Sequence, residues 1–129
     1  LALDHDKLGE YLEKFKQKGV AMCITTSTDK AIANEILVRL GISDYFTFIM
    51  TCEEAGGDKE SPKVFLDAHK KLGTPKDETI VVEDGLLAIR GAKEADFYVI
   101  AVADKNEEQN KAEIQELSDR YIESFEELL

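Results

Sequence analysis

The sequence predicts an α/β sandwich built on a mainly parallel sheet, and three observations carry that expectation. Apolar, β-favouring runs alternate with helix-patterned segments along the whole chain. The run Thr79-Ile80-Val81-Val82 passes straight into two adjacent carboxylates and a glycine, Glu83-Asp84-Gly85. A second run, Val20-Ala21-Met22-Cys23-Ile24, passes just as abruptly into Thr25-Thr26-Ser27-Thr28-Asp29. Continuous apolar runs of this kind read as strands buried on both faces of a helix-covered sheet. Their polar ends then fall at the carboxyl edge of the sheet, where open α/β folds bind ligands.

Taken in order, Asp6 to Lys18 puts Leu8, Tyr11, Leu12 and Phe15 on one helical face, and Gly19 supplies the stop. The strand Val20–Ile24 follows. Its hydroxyl cluster opens a helix carrying Ile32, Ile36, Leu37 and Leu40 before Gly41. A strand, hydroxyl donors and a helix N-terminus in succession suit a phosphate group, which the positive end of the helix dipole also favours; an ordinary Ser/Thr cap is the alternative. Tyr45 to Thr51 reads as a short strand near the sheet edge and Glu53 to Glu60 as a polar loop. Ser61-Pro62 starts a helix that runs to Leu72, buries Phe65, Ala68 and Leu72, and ends at Gly73. The loop before it holds Lys59, which by itself reads as a solvated charge.

In the strand that ends at Glu83-Asp84, two neighbouring acids repel each other, and a hard divalent cation such as Mg2+ cures that repulsion; Asp84 as a simple helix cap is the alternative. A helix over about Leu86–Ala95 leads to a strand at Phe97–Val102. From about Glu107 onward, Ile114, Leu117, Tyr121, Ile122, Phe125 and Leu128 stand among acids, the pattern of a docked amphipathic helix with a final turn.

The chain has 129 residues, 27 acidic against 16 basic side chains and a net charge of -11. That length is one domain's worth of core. The acidic balance disfavours nucleic acid and anionic membranes as partners. No apolar segment approaches the roughly 18–20 residues that span a bilayer. The two cysteines, Cys23 and Cys52, show no metal spacing and read as buried reduced thiols of a cytoplasmic protein. The first residue is Leu1 rather than Met, which leads us to expect an N-terminal portion beyond the sequence.

The order of the three signals resembles the haloacid dehalogenase (HAD) superfamily of phosphohydrolases, in its phosphatase and phosphoglucomutase-like branch. Gly19 to Thr28 resembles the second motif of that family. Asp58-Lys59-Glu60-Ser61-Pro62-Lys63-Val64-Phe65 resembles the segment holding its third-motif lysine, and Val82-Glu83-Asp84-Gly85-Leu86-Leu87-Ala88-Ile89 resembles the fourth motif. Gly85 stands where the family usually has Ser, Ala88 where it has Gly, and Lys63 where many relatives have Asp. The resemblance covers roughly residues 7 to 104. It implies a three-layer α/β/α Rossmann-like core with Thr26, Ser27 and Lys59 binding phosphate and with Asp84 and Glu83 at Mg2+. The catalytic set in this chain is then Thr26, Lys59 and Asp84, and Thr28 and Lys30 face the substrate.

The family's nucleophilic aspartate lies in a DxDGT segment at the end of the first, central strand, and this sequence has no such segment. Asp4-His5-Asp6 imitates the spacing, but Lys7-Leu8 follow where Gly-Thr belongs. The expectation is therefore a single, partial core domain over residues 1–129 that lacks its first strand. Residues 1–6 end a linker, 7–104 form the core and 105–129 a C-terminal extension. A gap of nearly 10 Å between the flanking strands follows from strand spacing; it closes by rearrangement, is filled by self-association or a second chain, or, the expectation favoured here, the sequence is part of a longer protein. The implied activity of the intact parent is Mg2+-dependent hydrolysis of a small phosphate ester, such as a sugar phosphate, through an aspartyl-phosphate, the partner being a small phosphorylated metabolite. This chain alone is expected to be inactive. The other reading is a non-catalytic module that binds phosphate, Mg2+ or a partner. A receiver-type signalling domain shares the α/β plan, but its acidic pair after the first strand and mid-chain phospho-accepting Asp are not seen.

Overall fold

The computed structural model describes residues 5–56 and 61–128. The elements run α1 (His5–Gln17), β1 (Ile24–Thr26), α2 (Lys30–Leu40), β2 (Ile49–Thr51), α3 (Cys52–Ala55), α4 (Lys63–Leu72), β3 (Ile80–Glu83), α5 (Leu86–Glu94), β4 (Tyr98–Val102), α6 (Lys111–Leu117) and β5 (Arg120–Ile122). Short 3-10 turns lie at Ser43–Tyr45, Lys76–Glu78, Lys105–Asn110 and Phe125–Leu128. Every strand pair is parallel, as the alternation of strand and helix requires.

Among the described residues the strands form two sheets, β1-β2 and β3-β4-β5. Thr26 pairs with Thr51 in the first, while Glu83 pairs with Ala101 and Val102 with Ile122 in the second. No described strand is bonded to the other edge of β1 or of β3, which is the arrangement expected of a sheet lacking its central strand.

The main core lies on one face of the larger sheet. There Ile89, Ala92 and Leu86 of α5, Phe65 and Val64 of α4, and Ile114 of α6 pack with Phe97, Val99 and Ala101. Alternation puts Ile100, Val102 and Ile122 on the opposite face, where Phe125 and Leu128 of the C-terminal turn cover them. Tyr11 of α1 joins this side through a stacked contact with Phe125, ring centroids 6.2 Å apart.

Several sequence expectations are corrected here. The strand expected to be buried on both faces is not: Ile80 and Val82 of β3 are 52% and 41% exposed. They point to the side of Tyr98 and Ile100, where the C-terminal turn covers only the far strands. On α2, Ile32 and Ile36 are likewise exposed at 52% and 47%, while Ala33 is buried and Leu37 and Leu40 are half-buried.

The second run pairs later than expected, over Ile24–Thr26 instead of Val20–Ile24, because its ladder with Ile49–Thr51 begins where the chain after the Ser43–Tyr45 turn becomes extended. Residues 45–48 are accordingly turn and connection, not strand, although Thr47 N–H still bonds Met22 O at 2.9 Å. Cys52–Ala55 is a helical turn capped by Thr51, where a loop was expected. In α4, Val64 is buried and Leu72 only half-buried. His5 and Asp6, expected as linker, belong to the first turn of α1; Asp4 lies outside the described residues. Cys23 and Cys52 are half-buried, less enclosed than expected. Burial still pushes the Cys23 thiol up to about 11.

The tail is not one amphipathic helix. It folds as α6, β5 and a final turn, so residues expected as an extension add a strand to the sheet. Asp119 is the reason. Its N–H bonds Val99 O at 2.9 Å and its Oδ2 accepts Val99 N–H at 2.8 Å, which starts the pairing of β5 with β4. Lys93 Nζ, 2.8 Å from the same oxygen, completes the anchor.

Candidate active site

The predicted residues fall at the carboxyl ends of parallel strands. Thr26 is the last residue of β1, and its hydroxyl oxygen accepts Thr28 N–H at 3.0 Å. That bond uses an oxygen lone pair and leaves the hydroxyl proton to donate elsewhere. Ser27, Thr28 and Lys30 follow, all exposed. The cap of α2 is Asp29, whose Oδ2 accepts the N–H groups of Ala31 at 3.1 Å and Ile32 at 3.4 Å. The hydroxyls are therefore not the cap. Two of the helix's first amides are already taken by a carboxylate, which leaves fewer of them for an anion than the sequence suggests. Lys30 Nζ is paired with Glu54, 3.2 Å from Oε1.

Glu83 ends β3 and Asp84 follows it. Glu83 Oε1 accepts the N–H of Asp84 at 3.0 Å and of Gly85 at 3.4 Å, so this carboxylate clasps its own turn. Gly85 stands at the N-cap of α5, which has no side-chain cap, so Asp84 does not serve as one. A Cβ at Gly85 would meet Glu107 Oε1 at 3.7 Å and Glu83 Oε1 at 4.0 Å, ordinary contacts, so the family's usual Ser fits this position. Ala88 packs its methyl against the main core, and Lys63 makes a surface pair with Asp67 at 2.7 Å. Lys59 lies outside the described residues.

Sequence reasoning missed Asp104. It follows the end of β4, the strand next to β3, and its carboxyl acts on that of Asp84. Burial, then Glu83 and Asp104, push the Asp84 carboxyl up to about 7. Asp104 moves the other way, held down by the Asn106 N–H on its Oδ1 at 2.9 Å and by Asp84. The signal that could have found it is an acid two residues past a strand end, Val102-Ala103-Asp104, in the strand following the Glu83-Asp84 strand.

A carboxyl whose titration is raised by burial and then by neighbouring acids has oxygens that suit a hard cation. The described residues supply only part of such a set. Asp84 and Asp104 present the oxygens, Glu83 is turned toward the backbone, and no group of three or more His, Cys, Asp or Glu is arranged to hold a metal among the described residues.

Parallel strands whose carboxyl ends carry a hydroxyl turn and a carboxylate cluster define an α/β domain with its polar residues where such folds bind ligands. The sequence profile of the haloacid dehalogenase-like hydrolases matches residues 5–102, and the chain belongs to that family. It is 33% identical over 92 residues to the glyceraldehyde 3-phosphate phosphatase of Methanopyrus kandleri, covering 70% of this chain and 40% of that protein. It is 30% identical over 125 residues to the ribulose-1,5-bisphosphate 5-phosphatase of Halopiger xanaduensis, covering 92% of this chain and 52% of that protein. Among solved structures, a HAD phosphatase from Thermococcus onnurineus superposes with a TM-score of 0.75 at 26% identity, over 92% of this chain and 53% of its own. CbbY from Rhodobacter sphaeroides in complex with phosphate shares the fold, with a TM-score of 0.78 at 23% identity over 93% of this chain and 53% of its own. The chain thus spans about half the length, or less, of these relatives. No helix among the described residues is long and apolar enough to cross a membrane.

Proposed function

We propose that this chain is the phosphate- and cation-binding part of a phosphohydrolase that acts on a small phosphate ester such as a sugar phosphate. The observation that carries the reading is the pairing of two features in a member of this family. The Thr26 hydroxyl, fixed by Thr28 N–H, ends one parallel strand, and the proton-retaining Asp84 cluster ends another. The names of the relatives, phosphatases of glyceraldehyde 3-phosphate and ribulose 1,5-bisphosphate, support the substrate class.

On this reading Thr26 and Ser27 donate to phosphoryl oxygens and Lys59 neutralises them. Asp84 and Asp104 hold Mg2+, with Glu83 fixing the turn that presents Asp84. Bound there, the cation offsets the repulsion between an attacking carboxylate and the phosphate. The nucleophile is an aspartate outside these 129 residues: its carboxylate bonds to phosphorus as the substrate alcohol leaves, and water then cleaves the aspartyl phosphate to inorganic phosphate. Thr28, beside the cradle, faces the substrate.

The test is release of inorganic phosphate from a panel of sugar phosphates by the protein carrying the DxDGT segment, with Mg2+ and with chelator. Turnover that needs Mg2+ and falls at least about a hundredfold in Thr26→Ala or Lys59→Ala supports the reading. Unchanged turnover in both variants contradicts it.

A second reading is a binding module without turnover. It is favoured by strand edges on β1 and β3 that no described strand covers. A second copy or another chain supplying a strand there is part of that reading. Phosphate or Mg2+ binding by the 129-residue chain with no hydrolysis, even when mixed with a separately made DxDGT segment, is its signature.

A further inference from the structure

Thr26 and Thr51 face each other at the ends of the β1–β2 ladder. Thr51 is buried, and its hydroxyl accepts Glu54 N–H at 3.0 Å and donates to Glu54 Oε1 at 3.3 Å. The same carboxylate meets Lys30 Nζ, 3.2 Å from Oε1 and 3.4 Å from Oε2. Lys30 is the first residue of α2. A cation there has the wrong sign for the helix dipole, and Glu54 corrects it. Lys30 in turn holds the Glu54 carboxyl below the usual carboxylate range. The turn between Thr26 and Lys30 is therefore fastened at both ends. At one end the Thr26 hydroxyl takes Thr28 N–H. At the other, Lys30 is tied through Glu54 to the strand that Thr26 itself pairs with.

We propose that Glu54 is a positioning residue for the anion-binding turn Thr26–Lys30, acting through Lys30 and Thr51 without touching the anion. The proposal rests on the reading of Thr26 and Ser27 as phosphate-binding. It makes a claim about sign. Acting only through its charge, Glu54 would weaken phosphate binding, and its removal would tighten it. As the anchor of the turn, its removal loosens the cradle and weakens binding.

The experiment titrates inorganic phosphate into the 129-residue chain, followed by amide NMR shifts over residues 26–31, alongside amide hydrogen exchange without phosphate. Glu54→Gln and Lys30→Met should each weaken phosphate about two- to fivefold and speed exchange at Thr28 and Ala31 by a similar factor, the scale of a partly exposed ion pair. The double variant should be no weaker than Glu54→Gln alone, since the pair acts as one unit. Lys30→Arg should restore binding, and Asp67→Asn, which breaks a surface pair on α4, should change neither readout. Phosphate binding by Glu54→Gln as tight as wild type or tighter, with exchange unchanged, overturns the proposal alone. A wild-type chain showing no phosphate-dependent shifts over 26–31 overturns the phosphate reading, and the proposal falls with it.

Discussion

Asp84 and Asp104 follow the carboxyl ends of the adjacent parallel strands β3 and β4, and each carboxyl group shifts the other's titration. Burial, then Glu83 and Asp104, hold the Asp84 carboxyl up to about 7, while the Asn106 N–H and then Asp84 hold Asp104 down. Glu83 and Glu107 add further negative charge around the Gly85 turn.

This arrangement sets a pH dependence. The Asp84 carboxyl is raised from 3.8 when unfolded to about 7 when folded. Its contribution to stability is full below pH 3.8 and is lost as pH rises through 7. The metal-free chain should therefore lose stability between about pH 4 and 7 on this account, and Asp84→Asn should flatten that loss. Urea midpoints at a series of pH values, in chelator, check it. An equally steep loss in Asp84→Asn would refute the assignment.

Asp119 behaves in the opposite sense. Lys93, then Val99 N–H, hold its carboxyl below 3.8. Its contribution is present above that value and lost as pH falls through the lower, folded one. Asp119→Ala leaves the Val99 amide without its acceptor and should cost about 1–3 kcal/mol at neutral pH. Denaturant unfolding measures this. The loss should be smaller in acid, where the wild-type carboxylate is itself protonated.

The two faces of β3 and its neighbours should respond differently to mutation. Ile89 is fully buried in the main core, and Ile89→Ala should cost about 2–5 kcal/mol. Val82→Thr on the open side should cost well under about 1 kcal/mol in this chain. A comparable loss for Val82→Thr would mean that this face is covered after all.

What could be read from the sequence follows from range. The helices of Lys63–Leu72 and Leu86–Glu94 and the strand Tyr98–Val102 were legible because Pro62, Gly73 and the apolar periodicity act locally. Thr26 and Asp84 were legible because polar residues directly abut apolar runs. The strand at Arg120–Ile122 was not, since it depends on Asp119 meeting Val99, twenty positions away. The exposure of Ile80, Val82, Ile32 and Ile36 was missed for a related reason. Their apolar pattern specifies burial, but burial needs a neighbour, and none of the described elements covers them. Asp104 joins Asp84 only through strand adjacency, and the tie of Lys30 to Glu54 only through the β1–β2 register.

The central claim is that one chain carries an anion-binding turn at the carboxyl end of β1 and a cation-binding carboxylate cluster at the carboxyl end of β3. The most direct measurement is a two-stage amide NMR titration of the 129-residue chain, first with Mg2+ and then with inorganic phosphate. The account expects Mg2+ to shift Asp84, Gly85 and the amides after Asp104, and phosphate to shift Ser27 to Ala31. The first set should vanish in Asp84→Asn and the second in Thr26→Ala. Spectra in which neither ligand moves its set, or in which both variants respond as wild type does, would contradict it.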